Sequence, residues 1–123
     1  MSKVKTAEEA VRLVKDSDVV AVNSSSGLCC PDAVLSALGA RFAREGVPRD
    51  LTTVHPIAAG DMFGTKGVDH LAQPGMIACI IGGSYPSGPS SAEPPLIWQR
   101  ILANDLRAYN LPSGVIFDML REG

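Results

Sequence analysis

Apolar and polar positions along the chain switch repeatedly between a helical period and short uninterrupted apolar runs. Ala7, Ala10, Val11 and Val14 recur at helical spacing behind Thr6, and Glu9 completes a capping box with Thr6, so a short helix is expected, ending near Asp16. Val19 to Val22 then form a run rich in β-branched residues with no polar interruption, the pattern of a buried strand. The run stops in Asn23-Ser-Ser-Ser-Gly-Leu-Cys-Cys30 and restarts at Pro31, a residue suited to the first helical position; Val34, Leu35, Leu38 and Phe42 give the new helix its apolar face. Gly46-Val-Pro48 closes that helix.

Leu51 to His55 reads as a second strand ended by Pro56, and Ile57 to Gly67, which has no clear period, as a loop over the carboxyl edge of the sheet. A short helix around Val68 to Gln73 precedes a third buried strand from Met76 to Ile81, and Gly82-Gly83 permits a sharp turn or close approach to a ligand. Ser84 to Pro94 has loop composition stiffened by proline, a lid or a tether. Pro94 or Pro95 starts a helix with Leu96, Ile97, Ile101 and Leu102 as its core stripe. Arg107 to Asn110 is a fourth strand, Leu111 to Gly114 a turn, and Val115 to Leu120 the start of a last helix. Strands alternating with helices predict a single α/β domain over residues 1–123, a three-layer sandwich on a mostly parallel sheet.

Composition narrows the functions such a domain serves. At 123 residues the chain is long enough to bury about two-thirds of its unfolded surface in one core. A net charge of −2 with no Lys/Arg cluster argues against nucleic acid and against anionic lipid as partners. No apolar run is long enough to cross a bilayer, and the N-terminus lacks the apolar core of a signal peptide. Cys29, Cys30 and Cys79 form neither a disulfide framework nor a zinc spacing, which points to a reduced, cytoplasmic setting.

The candidate chemistry lies where strands end. In open α/β sheets ligands bind at the carboxyl ends of strands beside helix amino termini, because free N–H groups there attract anions or polarised carbonyls. Asn23, Ser24, Ser25, Ser26, Gly27 and Cys29 occupy such a loop, which otherwise is a plain βα turn whose serines satisfy the backbone. His55 ends its strand on the same side, as a substrate contact, an acid/base or a hydrogen-bonded structural histidine. Cys29 and Cys30 precede a helix amino terminus, a place that can lower a thiol pKa, although a small thiol in a tight loop is the plainer role. His70 and Asp69 make no metal spacing with His55, so no metal is expected. Trp98 and Tyr85 flank the lid-like segment, to stack on an adenine or to pack.

From Asp16 to Pro31 the order of residues resembles the amino-terminal signature of the family I CoA-transferases. Asp16, the apolar trio Val20-Ala21-Val22 and Pro31 match it in register; Asn23, Ser24 and Ser25 stand where that family has Gly-Gly-Phe, and Cys29 where it has a later Gly. Pro48-Arg-Asp-Leu51, Gly67 to Ala72, Gly82-Gly83 and Ala108-Tyr-Asn-Leu-Pro112 with Ser113-Gly-Val115 resemble, in order, segments of the long single-chain acetate or propionate CoA-transferases. The resemblance implies a CoA-transferase fold, related to that of sugar-phosphate isomerases, and an amino-terminal half that continues beyond residue 123. It implies CoA exchange between an acyl-CoA and a small carboxylic acid through a glutamyl-CoA thioester. The nucleophilic Glu would lie in the carboxyl-terminal half, so this chain holds no catalytic residue of its own.

By the same resemblance CoA is a substrate rather than a permanent cofactor, and the complete protein is a homo-oligomer. Asn23 to Cys29 would supply oxyanion donors, Asn110 and Gly114 line the site, and Ser113 stands where many members place a Gln before Gly. Two other classes stay open: a non-catalytic acyl-CoA or carboxylate-binding module of the same fold, and a sugar-phosphate isomerase relative with Asp61 as its acid/base.

Overall fold

A computed structural model describes residues 3–61, 63–86 and 94–123. The Thr6 capping box forms, with the hydroxyl accepting from Glu9 N–H and the Glu9 carboxylate from Thr6 N–H, and starts α1 (Ala7–Ala10). A 3-10 turn over Val11–Leu13 carries the helix to its end, slightly short of Asp16. Arg41 from the next helix donates to the carbonyls of Val11 (2.6 Å) and Val14 (2.8 Å), fixing this end against the body of the domain.

Strand β1 (Val19–Ala21) leads through the polar loop into α2 (Asp32–Glu45), which ends in left-handed Gly46 (φ 71°). Leu35, Leu38 and Phe42 are buried as the period requires, whereas Val34 is 41% exposed, one position off the buried stripe. Strand β2 (Leu51–His55), a 3-10 helix over Gly67–Leu71 where a short helix around Val68 to Gln73 is expected, and β3 (Ile77–Gly82) follow. The chain then forms α3 (Leu96–Leu102), β4 (Arg107–Asn110) and α4 (Ser113–Glu122), the last starting two residues earlier than its apolar pattern.

The sheet has the order β1-β2-β3-β4 and every neighbouring pair is parallel, so the α/β reading holds. All the strands therefore point their carboxyl ends to one rim. Val20, Thr53, Ile80 and Ala108 share a row and hence a face. Along that face the core collects Leu35, Leu38, Phe42, Leu51, Val68, Leu71, Met76, Ile80 and Ile97, with Val20 and Ile101 at its margin.

Two core assignments are corrected. Leu96 (53% exposed) and Leu102 (77%) face out, leaving Ile97 and Ile101 as the inward stripe of a helix only seven residues long. Val19, read as part of a buried strand, is 68% exposed, because β1 is an edge of this sheet and only Val20 and Val22 turn inward.

Candidate functional site

The rim of strand carboxyl ends brings the sequence candidates together in two groups. The first is the loop after β1. Ser25 and Leu28 exchange N–H···O bonds of 2.9 Å each, closing a tight turn. Ser26 N–H donates to Ala58 O (2.9 Å) and Gly60 N–H returns to Ser26 O (3.0 Å), so the turn is stitched to the segment after β2. Buried Ser24 adds a hydroxyl bond to Ala58 O at 3.0 Å. The amides of Ser25, Ser26, Leu28 and Cys30 are thus engaged internally, and among the described residues those of Gly27 and Cys29 take no partner.

Asn23, Ser25, Ser26 and Cys29 are exposed, so in this chain the loop is an open rim rather than an enclosed pocket. Ser26 and Cys29 both adopt φ near +55°, a left-handed conformation that costs a non-glycine residue about 1 kcal/mol or more. Beneath the loop lies Asp61, close against Gly27, with Oδ1 accepting from the N–H groups of Phe63, Gly64 and Thr65 at 2.9–3.2 Å. Those N–H groups, Phe63 first, hold its carboxyl below the usual range, and the oxygen that accepts them is committed to the turn. Burial pushes the Cys30 thiol up, and the nearby Asp32 and Asp61 carboxylates add to the shift; a helix amino terminus does not make it an activated nucleophile here.

The second group is buried. The His55 ring is fully buried, and among the described residues neither ring nitrogen has a partner in hydrogen-bonding geometry. Burial lowers its pKa to about 4 against a weaker opposing pull from the backbone at Ser84 and Ile57, so the imidazole is neutral at pH 7. Tyr85 meets it edge-on at 5.7 Å, and a Cβ on Gly82 would stand 2.7 Å from its Cε1. Gly83 is tighter still: a methyl there would run into Pro56 O and stand 2.5 Å from Ser113 Oγ.

Around this corner the bonds run from strand to strand. Gly83 N–H donates to His55 O (3.0 Å), Leu111 N–H to Gly82 O (3.0 Å), and Ser113 Oγ to Pro56 O (2.6 Å). In the orientation that satisfies its amide, Asn110 donates to Gly82 O (2.9 Å) and Gly83 O (3.2 Å). His55, Gly82, Gly83, Asn110 and Ser113 therefore form one network, and Ala58 N–H to Ser84 Oγ (2.9 Å) joins it to the β1 loop. Gly114 stands apart, with open space where a Cβ would lie.

Sequence reasoning missed several residues that hold the rim. Asp69 is 8% exposed and accepts from Leu96 N–H (2.9 Å) and Ile97 N–H (3.0 Å), capping α3 from a distant segment. Its distance in sequence from α3 hid that role. His70 pairs with Asp32 at 3.2 Å; at the opposite, amino-terminal end of the sheet Asp16 accepts from Arg49 N–H at 2.8 Å, tying the start of β1 to the turn before β2. Trp98 and Tyr85, with Ile101 and Leu102, line an apolar notch of about 120 Å³. The lid expected over Ser84 to Pro94 falls mostly on residues 87–93, outside the described residues. A larger hollow of about 680 Å³, lined in part by Asp50, Gly75, Ile77, Arg107 and Tyr109, opens at the amino-terminal ends of the strands, opposite the rim.

No family model matches the chain. Among curated proteins it is 29% identical over 119 residues to the acetate CoA-transferase YdiF of Escherichia coli K12, covering 96% of this chain and 21% of that one. The acetate CoA-transferase YdiF of Escherichia coli O157:H7 gives 28% over the same length. The likeness is to CoA-transferases.

It extends to solved structures. The acyl-CoA transferase YdiF from E. coli O157:H7, in a thioester complex with CoA, superposes with a TM-score of 0.80 at 26% identity, over 95% of this chain and 23% of that one. The apoenzyme superposes at 0.78 with 27% identity, over 96% and 22%. The chain thus spans about a fifth of the length of these CoA-transferases. Set against the CoA-transferase signature, Cys29 keeps a left-handed backbone at a position where the signature has glycine.

Proposed function

We propose that this chain supplies one wall of a CoA-transferase active site and takes part in moving CoA from an acyl-CoA to a small carboxylic acid. The observation that carries this reading is the match, over nearly the whole chain and at a TM-score of 0.80, to a CoA-transferase solved as a CoA thioester. The acceptor is an acetate, short-chain or 3-ketoacid type acid, and the covalent intermediate is a glutamyl-CoA thioester on a Glu of a second, carboxyl-terminal half. CoA serves as substrate, and the complete protein is a cytoplasmic homo-oligomer.

The contribution of this chain is electrostatic. As a thioester carbonyl is attacked its oxygen gains negative charge, and a fixed N–H donor aimed at that point is worth a few kcal/mol. The amides of Gly27 and Cys29 and the exposed Asn23 side chain are the donors left for that task, and the His55–Gly83–Ser113 corner holds the opposite side of the rim rigid. Without the Glu the chain alone turns nothing over.

The test joins this chain to the remainder of the YdiF sequence and supplies acetyl-CoA with a panel of short carboxylates. CoA exchange and a thioester trapped by hydroxylamine or borohydride are expected in the joined protein and not in the chain alone. A folded joined protein that exchanges no CoA and traps no adduct would retire the reading. The engagement of the Ser25, Ser26, Leu28 and Cys30 amides within the domain favours, as second reading, a non-catalytic acyl-CoA-binding module. Calorimetric binding of acetyl-CoA to the chain alone, with no turnover once joined, would select it. An isomerase role is weakened because one oxygen of its candidate acid/base, Asp61 Oδ1, accepts three N–H groups of its own turn.

A further inference from the structure

A hollow of about 480 Å³ opens in the helical layer between the 3-10 helix and α3. Lys66, Asp69 and His70 form one wall, and Pro94, Pro95 and Leu96 the other. Its position is fixed by two ties to the rim. Gly67 N–H donates to the carboxylate of Asp32, the first residue of α2, at 2.7 Å. Gly60, whose N–H pairs with Ser26 O, lies so close to Lys66 that a Cβ on it would stand 2.6 Å from Lys66 O. The hollow and the loop after β1 are therefore neighbours.

The polar wall is unevenly committed. Asp69 spends both carboxylate oxygens on the Leu96 and Ile97 amides, and Asp32 Oδ1 serves Gly67 N–H and His70 Nε2 together. Lys66 is exposed and has no ion pair among the described residues. The lining thus sets one uncommitted ammonium beside an imidazole that Asp32 holds in place, facing a wall of proline and leucine. A cavity of this size, apolar with a few placed polar groups, has the make-up of a small-molecule site, and an ammonium is a point charge suited to phosphate.

We propose that this hollow receives the phosphate end of the pantetheine arm of CoA, a placement that rests on the transferase reading and its thioester at the neighbouring loop. The arm carries its thiol at one end and, at the other, a carbon bearing two methyl groups one bond away from the phosphate-bearing CH₂. Cation and apolar wall occur side by side in the hollow in the same way: Lys66 meets the phosphate, and Pro95 and Leu96 meet the methyl groups. The arm then runs along the rim from Lys66 toward the amides of Gly27 and Cys29.

The experiment measures, by calorimetry on the 123-residue chain, the binding of CoA, phosphopantetheine, pantetheine and inorganic phosphate. CoA and phosphopantetheine are expected to bind alike, and pantetheine and inorganic phosphate each about tenfold more weakly. Lys66→Ala, at an exposed position, should bring phosphopantetheine down to the level of pantetheine and leave pantetheine unchanged. In the protein joined to the rest of YdiF, the same substitution is expected to raise KM for acetyl-CoA about tenfold and to keep kcat.

Equal binding of pantetheine and phosphopantetheine, or a Lys66→Ala chain that still separates them, overturns the proposal and leaves Lys66 a solvated lysine. Binding of CoA without binding of phosphopantetheine puts the hold on the nucleotide, and inorganic phosphate as strong as phosphopantetheine shows a bare anion site; both overturn it. Where the chain alone binds none of the four, the joined protein decides, and a KM unmoved by Lys66→Ala overturns the proposal. CoA exchange with that unmoved KM leaves the transferase reading intact. Lys66-dependent binding of phosphopantetheine in a folded joined protein that exchanges no CoA does the reverse, keeping the site and retiring the transferase reading.

Discussion

The loop after β1 and the corner at Gly82-Gly83 lie on the same rim and keep their shape by different means. The loop is held by main-chain bonds, Ser25 with Leu28 and Ser26 with Ala58 and Gly60, while the side chains of Asn23, Ser25, Ser26 and Cys29 face solvent. Its course depends little on what those side chains are, so residues other than glycine are tolerated there at the cost of two left-handed backbones. The corner is held by excluded volume. Gly83 abuts Pro56 O and Ser113, Gly82 abuts the His55 ring, and that ring is fully buried without a hydrogen-bond partner among the described residues. A rim that must both admit a ligand and stay in place has placed adaptability on one side and rigidity on the other.

Substitutions that exchange these properties should separate the two. The largest effect is expected from Gly83→Ala, which puts a methyl into a backbone carbonyl that cannot rotate away: a loss of about 3 kcal/mol or more, read by urea unfolding. Acid comes next and acts on the same corner. His55 titrates near 6.5 in the unfolded chain and at about 4 in the fold, so as pH falls the unfolded state takes up a proton that the folded state refuses. Stability is full above pH 6.5 and is lost between there and pH 4, by about 3 kcal/mol. Unfolding curves of His55→Leu should lack this slope; a slope that survives the substitution would place the titrating group elsewhere.

The loop should respond more weakly. Ser24→Ala removes one buried hydroxyl bond to Ala58 O and is expected to cost about 1 kcal/mol, as the main-chain stitches remain. Cys29→Gly is expected to change stability least and in the opposite direction, a gain of up to about 1 kcal/mol as the left-handed strain is relieved against the greater freedom of glycine in the unfolded chain. A clear loss on Cys29→Gly, measured by thermal unfolding, would show that the thiol packs rather than merely occupies the turn.

Elements were legible wherever one local signal named them. The capping box of Thr6 and Glu9 announced α1, and Leu51 to His55 and Arg107 to Asn110 coincide with β2 and β4 residue for residue. Short elements blurred, as with the 3-10 helix at Gly67–Leu71 and the outward Leu96 and Leu102, because one or two turns cannot define which face is buried. Gly82-Gly83 stood out as a place of close approach; that the approaching groups are His55, Pro56 and Ser113 is a matter of which strands lie side by side.

The amino-acid order by itself determined the alternation of strand and helix, the parallel α/β class, and the rim on which Asn23, His55, Gly82 and Asn110 end their strands. Local periodicity and turn chemistry suffice for that, since each signal is read within a few neighbours. Only the tertiary structure decided that Asp69 caps α3, that the loop after β1 is stitched to Ala58 and Gly60, that His55 is buried and neutral with no partner among the described residues, and that an apolar strand stands at an edge. Each of these is a relation between segments distant in the chain, and burial, pairing and pKa follow from such relations rather than from residue identity.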